Sequence, residues 1–328
     1  MLGPLLIRAD ANEKIGTGHV MRCLALAQAW KRHGGDVMFF GEIDDAIGAR
    51  ILKDGFGLCT DFIRYPVGML VGTHGFDWVV VDGYEFGADY QQSLKDAGLH
   101  VLFIDDNVHA KSYCADLVLN QNIYAKDLVY PITSAGTRLL LGTDYALIRE
   151  EFLRCRPKEK VLTNDPHVLV TMGGADPDNV TLKIIKALND TSFHICIVVG
   201  GSNPHSAEIL NAVSGAIAVV RVARNVQDMH NMMLWADFAI SAGGSTCWEL
   251  AFMGVPTLVT SIADNQRANV TGLTEAGIME ALGEDIKGQI ATFAVDHTKR
   301  AEMRVKGQKL VDGLGADRVV EAMIGASA

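Results

Sequence analysis

Long apolar runs are absent. No stretch of about 18 uncharged apolar residues occurs in the 328 positions, which argues against a membrane-spanning helix and a stable membrane association. The opening segment, Met1-Leu2-Gly3-Pro4-Leu5-Leu6-Ile7-Arg8, is apolar too briefly before charge interrupts it to read as a secretory signal. Cysteine is sparse: Cys23, Cys59, Cys114, Cys155, Cys196 and Cys247 form no Cys-x-x-Cys pair and no Cys/His group at zinc spacing. They are expected to be reduced core thiols of a cytoplasmic protein, with no metal site and no cofactor. Positive charge is in deficit, 29 Lys and Arg against 39 Asp and Glu for a net charge of -10, which speaks against a general affinity for nucleic acid. An anionic ligand therefore has to be held locally. Only 8 prolines stand beside 33 glycines and a hydrophobic fraction of 49%, a composition of large cores and many tight turns.

The length suits two domains. Short apolar runs bounded by Gly, Asp or Asn alternate with amphipathic stretches of helical length, which reads as α/β. Strands are expected at 5–8, 36–40, 78–82, 100–105 and 116–120, and in a second series at 167–172, 194–199, 217–222, 237–241 and 257–260. Several end on a polar or acidic residue, as where strands deliver side chains to a crevice at their carboxyl ends. The charged segment 149–166, with two prolines and little periodicity, reads as a linker. It divides the chain near residue 160 into Rossmann-like domains at 1–160 and 161–328. The last segment, 298–324, is helical with a break at 313–315, and it is a candidate to pack back on the first domain.

Three glycine-bearing turns carry the chemistry. Gly16-Thr17-Gly18-His19 precedes a helix whose Val20, Cys23, Leu24, Ala27 and Trp30 recur at helical spacing. Glycines there admit a ligand to the backbone, and the free N–H groups and dipole favour an anion. An imidazole at that point, with an ordinary pKa of about 6.5, accepts a proton near neutral pH; the competing role for His19 is as a cap or a structural histidine. Met172-Gly173-Gly174-Ala175-Asp176 follows a strongly apolar strand and suits either a diphosphate loop or a plain turn capped by Asp176 or Asp178. Asp176-Pro177-Asp178 stands at a helix start, where carboxylates cap, and no metal is expected on it. Ser241-Ala242-Gly243-Gly244-Ser245-Thr246 offers N–H and hydroxyl donors to phosphate oxygens, and Glu249 stands one turn on, either against ribose hydroxyls or on the helix surface. Asn265 and Gln266, downstream of Gly254-Val255-Pro256, are expected to close the same crevice.

Two Rossmann-like halves with the nucleotide loop in the second resemble glycosyltransferases of the GT-B fold, notably the enzyme that adds N-acetylglucosamine to the peptidoglycan lipid precursor. The first half narrows the match. Arg8-Ala9-Asp10, Ile15-Gly16-Thr17-Gly18-His19 with Met21-Arg22, Asp82-Gly83-Tyr84, Asp105-Asp106, Leu119-Asn120-Gln121-Asn122 and the run from Tyr145 to Phe152 resemble the UDP-2,4-diacetamido-2,4,6-trideoxy-β-L-altropyranose hydrolases of pseudaminic acid synthesis and their spore-coat polysaccharide relatives. The resemblance implies a UDP-sugar substrate and metal-independent, inverting hydrolysis with His19 as base. It implies Asp10 and Tyr84 at the catalytic centre and Gly16, Gly18, Arg22 and Asn122 about the sugar. The nucleotide then falls to Gly173, Gly174, Gly243, Gly244, Ser245, Thr246, Glu249, Asn265 and Gln266, with uracil near Asn225 and Val226. Other enzymes of sialic-acid-like sugar pathways are the implied partners. Asp10 as a turn carboxylate, Tyr84 as a half-buried core residue and Arg22 as the partner of nearby carboxylates stay open. Gly83 departs from the histidine that some family members carry there. Two rival functions remain, a transferase using an acceptor other than water and a non-catalytic nucleotide-sugar-binding subunit.

Overall fold

Strands whose side chains alternate between two buried faces form the centre of each half. The computed structural model describes residues 2–12, 15–61, 75–155, 165–214, 217–224 and 226–327. Its contacts divide the chain into one unit of Met1–Glu150 with Gly313–Ala328 and a second of Glu151–Asp312. The division falls earlier than residue 160, and residues 313–328 join the first unit. Residues 156–164 of the expected linker lie outside the described residues.

The first unit runs β1 (Leu5–Ala9), α1 (Gly18–Arg32), β2 (Val37–Phe40), α2 (Asp45–Lys53), β3 (Gly57–Cys59), β4 (Trp78–Asp82), α3 (Ala88–Asp96), β5 (His100–Ile104), β6 (Leu117–Asn120) and β7 (Arg138–Leu141). All seven strands are parallel, in the order β3-β2-β1-β4-β5-β6-β7. Leu5 and Ile7 point to one core with Val80 and Leu102, while Leu6 points to the other with Val79, Val81 and Phe103. Burial on both faces is why these strands read as unbroken apolar runs. Because order reverses between β1 and β4, the loops after them diverge and leave a crevice at their carboxyl ends.

After the short α4 (Glu150–Leu153), the second unit runs β8 (His167–Thr171), α5 (Val180–Leu188), β9 (His194–Val199), α6 (Ser206–Val213), β10 (Val219–Arg224), α7 (Met229–Trp235), β11 (Phe238–Ala242), α8 (Thr246–Phe252), β12 (Thr257–Thr260), α9 (Arg267–Glu275), β13 (Glu280–Ala281), α10 (Ile286–Val295) and α11 (His297–Leu310). Its parallel sheet is ordered β10-β9-β8-β11-β12-β13, with the reversal between β8 and β11.

The final helix, α12 (Gly315–Ala326), packs against α1. Val319, Val320 and Met323 enter the core, Arg32 forks onto both oxygens of Asp317 at 2.8 and 2.9 Å, and Trp78 Nε1 donates to Ser327 Oγ. Gly315 permits the approach, since a Cβ there would lie 2.3 Å from Ala146 O. Tyr145 and Ala146, at the start of the run to Phe152, are thus the seat of the returning helix. Among the described residues no helix is long and apolar enough to cross a membrane. All six cysteines are free, but only Cys23, Cys196 and Cys247 are core thiols; Cys59, Cys114 and Cys155 are half-buried, a correction to their expected placement.

Candidate active site

The site of the first unit is built where β1 and β4 end. After β1 the chain passes Asp10, turns at Gly16 with φ +82°, and enters α1 at Gly18, beside whose Cβ position nothing lies within 4 Å. That open floor leaves room for a ligand at the helix start. His19 sits in the first turn and points to Asp82, the last residue of β4, with Nδ1 3.0 Å from Oδ1. The carboxylate lies beside the ring nitrogen rather than along a linear hydrogen-bond axis, so the contact is electrostatic first. Among the described residues His19 Nε2 has no protein hydrogen-bond partner.

Asp82 is fully buried and does not stand alone. Arg22, one turn after His19, forks onto it through Nε at 2.6 Å and Nη2 at 2.7 Å, while Cys23 Sγ approaches to 3.5 Å. The third guanidinium nitrogen reaches Asp106 Oδ2 at 2.5 Å, and Asn122 Nδ2 donates to the other oxygen of that carboxylate at 2.8 Å. Burial opposes the Asp82 charge, but the Arg22 and His19 charges prevail and hold its carboxyl far below the ordinary range. Burial likewise pulls His19 down, yet the facing Asp82 carboxylate outweighs it and leaves the imidazole above its ordinary 6.5. Burial raises the Cys23 thiol well above its ordinary value, and Asp82 adds to it, so the thiol stays protonated. Arg22 is thus buried, and its hydrogen bonds go to carboxylates.

Tyr84 stands two residues beyond Asp82, 41% exposed rather than half-buried in the core, with its ring edge-on to His19 at 5.1 Å. It is also edge-on to His109 at 5.5 Å. His109 has its own buried carboxylate, Asp105, and went unnoticed in the sequence, although Asp105 and His109 are spaced i,i+4. Val108 before it adopts φ +54°, a conformation that on general grounds costs a β-branched residue about 1–3 kcal/mol.

Asp10 accepts both Arg8 Nη groups and the Glu42 N–H at 2.6 Å, and shares a hydrogen bond with Glu85. The Arg8 guanidinium also lies over the Phe86 ring at 4.6 Å. A Cβ on Gly83 would meet Glu85 Oε2 at 2.7 Å and Phe86 at 2.8 Å, so those side chains occupy the space that a larger residue at 83 would need. Asn120 and Gln121 are scaffolding: Asn120 donates to Asp106 O and bonds Tyr130, and Gln121 accepts from Leu147 N.

In the second unit the loops after β8 and β11 lie at the sheet's own reversal. Gly173 has φ +70° and is exposed, with nothing within 4 Å of its Cβ position. Asp176 is fully buried and accepts Val180 N at 2.8 Å and Thr181 N at 2.9 Å, which makes it a cap of α5. Gly200 underpins the loop: a Cβ there would lie 2.4 Å from Gly173 O and 2.3 Å from Gly174 O. Gly243 fits under Val270, and its carbonyl accepts Asn269 Nδ2 at 2.9 Å. Beside Gly244, Ser245 precedes α8 with no side-chain capping bond, which leaves its hydroxyl and that of Thr246 at the helix start. Glu249 is buried within α8 rather than on a helix surface. Gln266 accepts Ile262 N at 3.1 Å and so braces the turn, while Asn265 is exposed. Asn225 lies outside the described residues. Among the described residues no three His, Cys, Asp or Glu side chains are grouped to hold a metal ion.

Residues 167–287 match the glycosyltransferase family 28 C-terminal domain. Over 208 residues the chain is 30% identical to the UDP-2,4-diacetamido-2,4,6-trideoxy-beta-L-altropyranose hydrolase of Campylobacter jejuni, covering 61% of this chain and 71% of that protein. It is 27% identical to the spore coat polysaccharide biosynthesis protein SpsG of Bacillus subtilis, with 95% of both chains covered. The chain spans about half the length of two other curated relatives, 56% of one from Methanocaldococcus jannaschii and 50% of one from Helicobacter pylori. The crystal structure of Acinetobacter baumannii MurG superposes with a TM-score of 0.64 at 15% identity, over 97% of this chain and 98% of that one. The fold is GT-B.

Proposed function

The chain belongs to the family of UDP-2,4-diacetamido-2,4,6-trideoxy-β-L-altropyranose hydrolases and their spore-coat polysaccharide relatives, and from that premise we propose that it hydrolyses the anomeric C–O bond of a UDP-linked 2,4-diacetamido-2,4,6-trideoxy sugar. His19 is the general base and the anomeric centre inverts. One observation carries this reading: His19 is held through Nδ1 by a buried carboxylate, while Nε2 carries no protein hydrogen bond among the described residues. Asp82 favours the tautomer with its proton on Nδ1, and Arg22 keeps Asp82 ionised. Nε2 is then the basic nitrogen, as general-base catalysis needs.

In the proposed step Nε2 takes a proton from water as its oxygen attacks the anomeric carbon. The bond to the β-phosphate oxygen breaks, and UDP leaves with the electron pair. UDP is a good leaving group, so donors that steady the diphosphate matter more than an acid. Those donors are the backbone at Gly173 and Gly174 and the turn Gly243, Gly244, Ser245 and Thr246, with Glu249 on the ribose. Tyr84 flanks the base and lines the sugar, with Gly16, Gly18 and Asn122 nearby. Asp10, already held by Arg8 and Glu42, shapes the loop after β1, and Arg22 acts through Asp82.

The test incubates the pure protein with EDTA, UDP-2,4-diacetamido-2,4,6-trideoxy-β-L-altrose and no acceptor, following UDP and free sugar by NMR. Expected is acceptor-free release that His19→Asn lowers by about 10²–10⁴-fold while UDP affinity persists. The family 28 domain match favours a second reading, a transferase. It predicts no sugar release until an acceptor is supplied.

A further inference from the structure

Two imidazoles in the first unit face buried carboxylates through Nδ1, and they differ in what the other nitrogen meets. His19 Nε2 has no protein hydrogen bond among the described residues, whereas His109 Nε2 lies 2.9 Å from the carbonyl oxygen of Phe86. On the opposite side, His109 Nδ1 lies 2.9 Å from Asp105 Oδ2. A carbonyl only accepts, so Nε2 carries the proton in its bond to Phe86 O, while the Asp105 carboxylate, lying beside Nδ1 off the hydrogen-bond axis as Asp82 does at His19, acts on the ring electrostatically. With that proton spent on Phe86 O, Nε2 of His109 has no lone pair to take one from water. Chemistry thus separates the two rings, one with Nε2 open and one with Nε2 tied to a carbonyl.

The surroundings hold that ring in place. Asp105 is fully buried and accepts the Tyr113 hydroxyl, Asn107 N at 2.9 Å and His109 N at 3.1 Å. These bonds impose the turn in which Val108 takes its left-handed conformation, and the turn swings the imidazole toward the segment after β4. Facing the ring from other elements are the Glu85 carboxyl, whose charge also favours its protonated form, the Tyr84 ring edge and the Phe103 ring at 5.8 Å. Phe86 N in turn donates to Gly83 O at 3.4 Å, closing the turn that carries Tyr84.

We infer that His109 is a positioning residue: by tying Phe86 O to Asp105 it holds the turn from Gly83 to Phe86, so that the Tyr84 ring stands edge-on between the two imidazoles and against His19. Its bearing on catalysis rests on the hydrolase reading above. The tie itself does not.

The experiment compares the full-length protein with His109→Gln and His109→Ala by amide hydrogen exchange over 83–87 and by UDP release. Losing one hydrogen bond should speed exchange in 83–87 about tenfold in His109→Ala, with 167–175 unchanged as a control. Glutamine, which can bond one acceptor but not both, should fall between. Turnover should drop with KM little changed, and Tyr84→Ala should cost less in the His109→Ala background than alone. Exchange within about twofold of wild type in both variants, or a His109 Nε2 that carries no proton at pH 7 by imidazole 15N NMR of the wild type, overturns the inference. The NMR measurement decides even where His109→Ala does not fold. If the wild type releases no UDP, the hydrolase reading fails, and the exchange data still judge the tie.

Discussion

Asp82→Asn removes one charge at the point where Arg22 Nε, Arg22 Nη2, His19 Nδ1 and Cys23 Sγ converge. Breaking a buried pair by deleting one partner costs about 3–5 kcal/mol. Arg22 keeps Asp106, which places the loss near the lower end, about 3 kcal/mol. At about 2–4 °C per kcal/mol for a unit of this size, the melting point should fall by roughly 6–12 °C. The chemistry suffers separately. With its amide oxygen turned to Arg22, the asparagine presents N–H to His19 Nδ1 and drives the neutral imidazole to carry its proton on Nε2, the wrong nitrogen. Turnover should then fall by about 10²–10⁴-fold, as if the base were lost. The pH profile supplies the third readout: Asp82 keeps His19 above 6.5 against burial, so without it burial prevails and the acid limb of kcat/KM moves below 6.5. The assay is UDP release between about pH 5 and 9 together with thermal unfolding. Turnover within about threefold of wild type, or an unmoved acid limb, would refute the reasoning.

Gly200→Ala places a methyl against the carbonyls of Gly173 and Gly174 and should weaken UDP binding by shifting that loop. Titration calorimetry checks it, and an unchanged Kd would remove the loop from the nucleotide site. Gly315→Ala drives a methyl into the backbone at Tyr145 and Ala146 and should destabilise the first unit by about 1–3 kcal/mol through overpacking; equal melting points would contradict the docking of α12 described above. His19 and His109 are both raised in the fold, so their stabilisation is complete below 6.5 and is lost as pH rises through their folded values. Asp82 and Asp105 are lowered, so theirs is present above 3.8 and is lost as pH falls through their folded values. Melting should therefore be highest between about pH 4 and 6.5 and decline toward pH 8, and a flat profile from pH 6 to 8 would count against both pairs.

Central strands were legible because burial on both faces demands apolar residues at every position. Trp78–Asp82 and His194–Val199 have the bounds their patterns announce. Edge strands were not, since Gly57–Cys59 and Glu280–Ala281 are too short for a pattern and Arg138–Leu141 offers only four residues, the first of them charged and exposed. The expected strand at 217–222 begins instead at Val219 and runs to Arg224, where pairing with β9 rather than hydropathy sets its bounds.

Sequence by itself determined the alternation of strands and helices, the glycine turns at Gly16, Gly173 and Gly243, and the placing of His19 at a helix start, because all of these are local in the chain. Tertiary structure alone decided which carboxylate His19 faces, that Arg22 spends its nitrogens on Asp82 and Asp106, and that His109 stands behind Tyr84. Those partners are 60 and 84 residues from Arg22, and no local pattern encodes a pairing that only the order of parallel strands brings about.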